Sequence, residues 1–175
     1  MPRTPPEEEA PSPTPEEVDA VMAAARVFIA VCAQSVASVE DQVTLPQLRV
    51  LVMIASRGPQ NLASVAQGLG VHPSNATRRC DKLVEAGLIH RSEDPGDRRN
   101  LILRLTPAGR ALVANMAAQR RAAIENVLGK MPAPQRRDLL PALLAFGQAA
   151  GELPASDAWA LGWTTEQPIT AVQQR

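Results

Sequence analysis

Apolar residues recur at spacings of three and four from Val18 to Val39: Val18, Val21, Met22, Ala25, Phe28, Ile29, Cys32, Val36 and Val39. That period predicts one amphipathic helix of about six turns. Thr14-Pro15-Glu16-Glu17 in front of it supplies an N-cap, a proline at the first helical position and a capping-box glutamate. A helix this long, starting outside any compact unit, needs a surface to lie against, and a partner subunit supplies one.

Shorter periods follow. Thr44 and Gln47 make a second capping box before Leu48, Leu51, Val52 and Ile54, and Gly58-Pro59 ends that helix. Asn61 caps a third helix whose inner face is Leu62, Val65, Ala66 and Leu69, closed by Gly70. After the turn "GVHP", the run "SNATRRCDKLVEAG" predicts a fourth helix, with Pro73 at its start and Gly87 at its end. Two short helices around a tight glycine turn are a helix-turn-helix pattern. The period then drops to two: Leu88-Ile89 opens a strand, and Leu101, Leu103 and Leu105 alternate with Ile102 and Arg104 in a second. "SEDPGDRRN", Ser92 to Asn100, joins the strands as a hairpin loop.

Thr106-Pro107 starts a long helix whose stripe (Leu112, Val113, Met116, Ile124, Val127, Leu128) runs to about Met131. A last helix from Pro134 carries Leu139, Leu140, Leu143, Leu144 and Phe146, with a kink or late start expected at Pro141. The expected fold is mainly α with a small β-hairpin wing (α+β), a winged helix-turn-helix lobe over 44–106 and long helices over 14–41 and 107–150. Residues 1–13, rich in proline and acid, read as a disordered tail, and 153–175 as a C-terminal tail that docks, if at all, through Trp159 or Trp163.

Composition adds an asymmetry. The formal net charge is zero, yet residues 1–19 hold six acids against Arg3, and residues 98–137 hold nine Lys/Arg against Glu125. Sixteen Arg stand against two Lys, which a GC-rich genome explains as readily as a demand for fork-shaped donors. Two cysteines 48 positions apart, no secretory segment and no apolar run near 18 residues point to a cytoplasmic protein with no membrane partner. No cofactor, metal site or enzymatic activity is expected. The chain has no glycine-rich phosphate loop, His72 and His90 have no nucleophile arranged beside them, and the two histidines and two cysteines lack ligand spacing.

The candidate chemistry lies at the front of the fourth helix and at the hairpin tip. Ser74, Asn75, Thr77, Arg78 and Arg79 crowd the first turns, while Val71, Ala76, Cys80, Leu83 and Val84 mark an inner face. Hydroxyls, amides and arginine forks read base edges in the DNA major groove, although a solvated helix face looks the same in isolation. The hairpin context favours DNA, because Arg98 and Arg99 at the tip then reach phosphates or the flanking minor groove. Asp97 and Asp94 would hold the loop and aim an arginine, with Pro95-Gly96 supplying the turn.

The order of parts, with "TLPQLRVL", "LASVAQGLGVHPSNATRRCDKLVEAGLIHR" and the wing "DPGDRRNLILRLTPAG", resembles the MarR family of bacterial winged-helix regulators over residues 15–150. The resemblance implies a homodimer built from the first and last helices, bound to a pseudo-palindromic site on double-stranded DNA, with small anionic or aromatic effectors relieving the binding. It maps Arg99 as a minor-groove contact, Asp97 as its orienting partner and Arg98 as a second phosphate contact. It also places His72-Pro73-Ser74-Asn75 at the recognition-helix start, where the family usually has serine or a similar cap. Histidine caps poorly, so that start is expected to be less secure, and His72 reads as a surface residue or a pH-sensitive contact. One branch of the family senses peroxide through a first-helix cysteine flanked by tyrosines. Cys32 lies late on the apolar stripe and the chain has no tyrosine, so Cys32 and Cys80 read as core packing.

The expected function is a dimeric, sequence-specific DNA-binding repressor relieved by a small aromatic or anionic ligand. The alternative is a winged-helix protein-interaction module. For the effector, Arg26, Arg49 and Met53 are candidate lining residues, each otherwise a surface charge or core filler.

Overall fold

The computed structural model describes residues 12–93, 101–151, 159, 162 and 163. Six helices and one hairpin are described: α1 (Pro15–Ala37), α2 (Leu45–Arg57), α3 (Leu62–Gly68), α4 (Pro73–Glu85), β1 (Ile89–Glu93), β2 (Leu101–Leu105), α5 (Pro107–Gly129) and α6 (Ala133–Ala150). The chain divides into two compact units, one ending at Ala30 within α1 and one running from Val31 onward.

In the first unit the capping box forms as the sequence predicts. The Thr14 amide donates to Glu17 Oε2 at 2.7 Å and the Glu17 amide donates to Thr14 Oγ1 at 3.2 Å. The Thr14 amide, and next the Thr14 hydroxyl that donates to the same Oε2 at 3.0 Å, hold the Glu17 carboxyl below its ordinary pKa. The stripe of this unit is uncovered within the chain: Met22 is 55% exposed and Ile29 61%. By length and composition α1 could cross a membrane, with a mean hydropathy of 1.8 over its best 18-residue window, contrary to the expectation of no such run.

The second unit is built around α2. The Thr44 amide donates to Gln47 Oε1 at 2.9 Å to start the helix. Val50, Leu51, Val52, Met53 and Ile54 are then buried in succession, so the middle of this helix is buried on every side rather than on the single face its period predicts. Leu48, Val65, Leu69, Ala76, Cys80, Leu83, Leu103, Leu112 and Met116 close the same core from α2, α3, α4, the hairpin and α5. Burying a side chain of the Leu or Val class stabilises by about 1.5–3 kcal/mol, and this cluster holds the lobe together.

Local signals place each element. Asn61 Oδ1 accepts from the Ser64 amide at 2.7 Å at the head of α3, and Thr106 Oγ1 accepts from the Gly109 amide at 3.1 Å at the head of α5. Gly70 at φ 62° and Gly87 at φ 68° make the turns on either side of α4, a backbone region that favours glycine. The strands pair antiparallel, Ile89 with Leu105 through Glu93 with Leu101. Gln60 adds a bridge to Leu103, donating its amide at 3.1 Å and accepting the Leu103 amide at 2.7 Å. The expected alternation in β2 is broken: Ile102 is buried and Leu101 is 54% exposed.

α6 starts at Ala133, so the late start that Pro141 could have imposed does not occur. The helix runs without a break from Ala133 to Ala150 with the proline inside it. Pro141 is exposed, so water can serve the carbonyl that its missing N–H leaves open. No α6 side chain is buried within the chain, and Leu140, Leu143 and Phe146 are all exposed. Of the C-terminal tail, Trp159 is fully buried and joins the core.

Candidate nucleic-acid interface

α4 presents its polar half as the sequence predicts. Ala76, Cys80 and Leu83 face the core, while His72, Pro73, Ser74 and Arg78 are exposed and Asn75, Thr77 and Arg79 are half-buried. His72 does cap the helix, contrary to expectation: its Nδ1 accepts from the Ser74 amide at 3.3 Å and lies 2.9 Å from Ser74 Oγ. Pro73 has no N–H, so the Ser74 amide is the first that needs an acceptor, and the imidazole nitrogen reaches it.

The exposed front is partly ordered by its own bonds. Arg78 Nη2 donates to Asn75 Oδ1 at 2.5 Å, and Thr77 Oγ1 donates to the Pro73 carbonyl at 3.0 Å. Asn75, Arg78, Arg79 and Lys82 line a cleft of about 290 Å³ whose other wall is Thr44, Pro46 and Gln47 at the head of α2. The three cations Arg78, Arg79 and Lys82 on one wall of this cleft form a cradle suited to a phosphate. Arg91 on β1 pairs with Asp81 on α4 and ties the hairpin to the recognition helix. The wing-tip candidates Asp97, Arg98 and Arg99, with Asp94, Pro95 and Gly96, lie outside the described residues.

Cys80 is sealed behind this surface. Burial is the first cause that pushes its thiol up to about 11, opposed by the charge of Arg91. Its thiolate is therefore scarce at neutral pH, consistent with packing rather than reactivity.

A second cavity, about 450 Å³, opens between the end of α2, the hairpin base and α5. Ile54, Ala55, Pro59, Leu105, Val113 and Ala114 give it apolar walls, and His90, Arg104 and Arg110 bring polar groups. Arg104 Nε donates to Ser92 Oγ at 3.3 Å and Arg110 Nη1 to the Leu105 carbonyl at 2.8 Å. None of the three effector candidates lines it. Met53 is fully buried in the core, Arg49 is half-buried on α2 with its Nε lacking a partner, and Arg26 is exposed in the first unit. His90, Arg104 and Arg110 come together only when β1, β2 and the head of α5 meet, so no local pattern in the sequence announces them. The pairing of His90 with Arg104 follows from the hairpin register.

Residues 43–101, covering α2, α3, α4 and β1, match the family model described as MarR family. The HTH-type transcriptional repressor Rv2887 of Mycobacterium tuberculosis is 33% identical over 104 residues, 59% of this chain and 75% of that protein. The crystal structure of RV1404 from the same organism superposes with a TM-score of 0.70 at 39% identity, covering 83% of this chain and all of that one. The chain belongs to the MarR family. As a MarR protein it has the winged helix-turn-helix arrangement expected from the sequence, with α3 and α4 as the helix-turn-helix and β1–β2 as the wing. Its matches with YhjH and YfiV of Bacillus subtilis, HTH-type transcriptional regulators, span only 42% and 39% of the length of those proteins.

Proposed function

We propose that this MarR protein is a cytoplasmic, homodimeric transcriptional repressor that reads a pseudo-palindromic operator on double-stranded DNA. The observation that carries the reading is the polar front of α4 beside the cationic cleft at the head of α2. His72, Pro73, Ser74, Asn75, Thr77, Arg78 and Arg79 enter the major groove, and a phosphate sits in the cleft beside Arg79 or Lys82. Asp97 aims Arg99 at the adjacent minor groove, with Arg98 on a phosphate. The uncovered stripes of α1 and α6 are the natural dimer faces, and a two-fold pair of lobes demands a two-fold site. The repressor relative Rv2887 supports the sign of regulation.

The 450 Å³ cavity supports the effector part of the reading. Apolar walls accept a ring, and Arg104, Arg110 and His90 supply partners for a carboxylate or phenolate. Such a ligand would bind the base of the wing and the head of α5, and it weakens DNA binding only through a difference in affinity between two lobe positions. The effector assignment moves from Arg26, Arg49 and Met53 to these residues.

Zero net charge does not oppose DNA binding, because counterion release depends on the local cations. If each subunit neutralises about three to five phosphates, the log–log salt dependence of the dimer has a slope of roughly −5 to −9. Titration with duplex across a salt series measures it. A slope near zero would favour the protein-interaction alternative. On the same assay Arg99→Ala and Arg78→Ala each weaken binding by about 1–3 kcal/mol.

A further inference from the structure

We propose that Trp159, Gly162 and Trp163 form an internal strap that docks on the helix-turn-helix lobe and holds α3 and α4 in the position that binds DNA. The proposal rests on the DNA-binding reading of α4. Trp159 is fully buried between α2 and α3. The Arg57 guanidinium carbon lies 4.3 Å from its ring centroid, and a Cβ placed on Gly68 would meet Met53 Cε at 2.6 Å and the indole at 3.4 Å. A glycine at the last residue of α3 thus makes room for the packed Met53 and the indole, four residues before His72 caps the recognition helix.

The other end of the strap is held by α5. Arg120 is 3% exposed; its Nη1 donates to the Gly162 carbonyl at 3.1 Å, and its Nη2 and Nε donate to Ser35 Oγ at 2.9 and 3.2 Å. The Trp163 ring lies 4.3 Å from the same guanidinium. Burial pulls Arg120 below the ordinary arginine pKa, with Cys32 acting the other way, so the strap supplies bonds to a charge that is costly to bury. Trp159 thus contacts α3, which leads into the reader, while Gly162 and Trp163 contact Arg120 on a long helix outside the helix-turn-helix.

The docking is poised rather than maximal. Trp159 Nε1 is buried with no hydrogen-bond partner, a cost that undocking would relieve by returning the N–H to water. A lobe that is DNA-competent only while the strap is docked has its apparent affinity scaled by the docked fraction.

The sequence provides its own reporter, because Trp159 and Trp163 are the only tryptophans and tyrosine is absent. The test uses full-length Trp159→Ala, Trp159→Phe and Trp163→Ala proteins and the duplex that the unaltered protein selects from a random pool. Trp159→Ala should lower amide-exchange protection across residues 62–85 by about tenfold, leave that of α6 unchanged, and weaken duplex binding by about tenfold. Trp159→Phe should restore most of both. In the Trp163→Ala protein the remaining indole should emit in the blue and resist acrylamide. Unchanged protection and affinity in a folded Trp159→Ala protein would overturn the strap. If that variant does not fold, Trp163→Ala decides: the wild-type side chain is 40% exposed, so its loss opens no core cavity. It should give a smaller loss, about threefold, over the same segment, and no change there overturns the proposal. If the unaltered protein selects no duplex, the DNA-binding reading fails, and exchange alone decides the strap.

Discussion

α2 buries five residues in a row, Val50 to Ile54, whereas α6, 18 residues to the 13 of α2, buries no side chain at all. Both helices are rich in leucine and valine or phenylalanine, so apolar content does not separate them. What separates them is where the complementary surface lies. For α2 it is supplied by α3, α4, the hairpin, α5 and Trp159 of the same chain. For α6, and for the first unit with Met22 and Ile29 exposed, none of the described residues supplies it. Exposed apolar stripes on long helices mark a surface that another polypeptide covers. The lobe is thus self-sufficient and the long helices are not, as expected of a reader carried on a dimer frame.

The strongest way to break this comparison is to charge the uncovered stripes. Leu143→Glu with Phe146→Glu places two carboxylates on a surface 44% and 56% exposed, where they cost the isolated chain little. In a dimer interface they would be desolvated without partners. We expect sedimentation at micromolar concentration to show a folded monomer, and binding to a two-half-site duplex to fall by about a hundredfold or more as the second half-site becomes independent. A dimer of unchanged stability would show that α6 is not the frame.

The opposite manipulation acts inside the lobe. Leu51→Ala leaves a cavity at a fully buried position, and its cost is about 2–5 kcal/mol. Urea unfolding should show a lower midpoint, with the oligomeric state of the folded fraction intact. A loss under about 1 kcal/mol would mean that the core collapses around the gap, and that α2 is less of a keystone than its burial implies.

Much of the lobe was legible in the sequence because its signals are local. Thr14, Thr44, Asn61 and Thr106 each announce a helix start through a side chain three residues from its partner, and Gly70 and Gly87 announce the turns. The polar front of α4 was legible for the same reason. The misreadings share a different cause. The burial of all sides of α2 depends on neighbours that a period of 3.6 does not name. The cap at His72 depends on a ring nitrogen reaching one amide that Pro73 leaves as the first donor. The cationic cavity needs His90, Arg104 and Arg110 from three elements. Trp159 sits in a segment with no periodicity, and only the slot at Gly68 reveals its place.

The smallest expected effect tests the lobe core at its reading face. Cys80 is fully buried on the inner side of α4, and burial pushes its thiol up to about 11, above the ordinary cysteine range. A group whose folded pKa is raised contributes stability that is fully present below the unfolded pKa and is lost as pH rises through the folded one. Between those values the unfolded chain releases the proton while the folded chain keeps it, so unfolding becomes more favourable with each step in pH. Urea midpoints of the unaltered protein should therefore be insensitive to this group up to pH 8 and fall between pH 9 and 11. Cys80→Ala should start slightly lower at pH 7, because a buried sulfur is lost, and then decline less steeply over the same window. Parallel declines for the two proteins would show that alkaline sensitivity lies elsewhere. The thiol would then be reached by water through the front of α4, and the seal between reading face and core would be looser than the burial of Ala76, Cys80 and Leu83 implies.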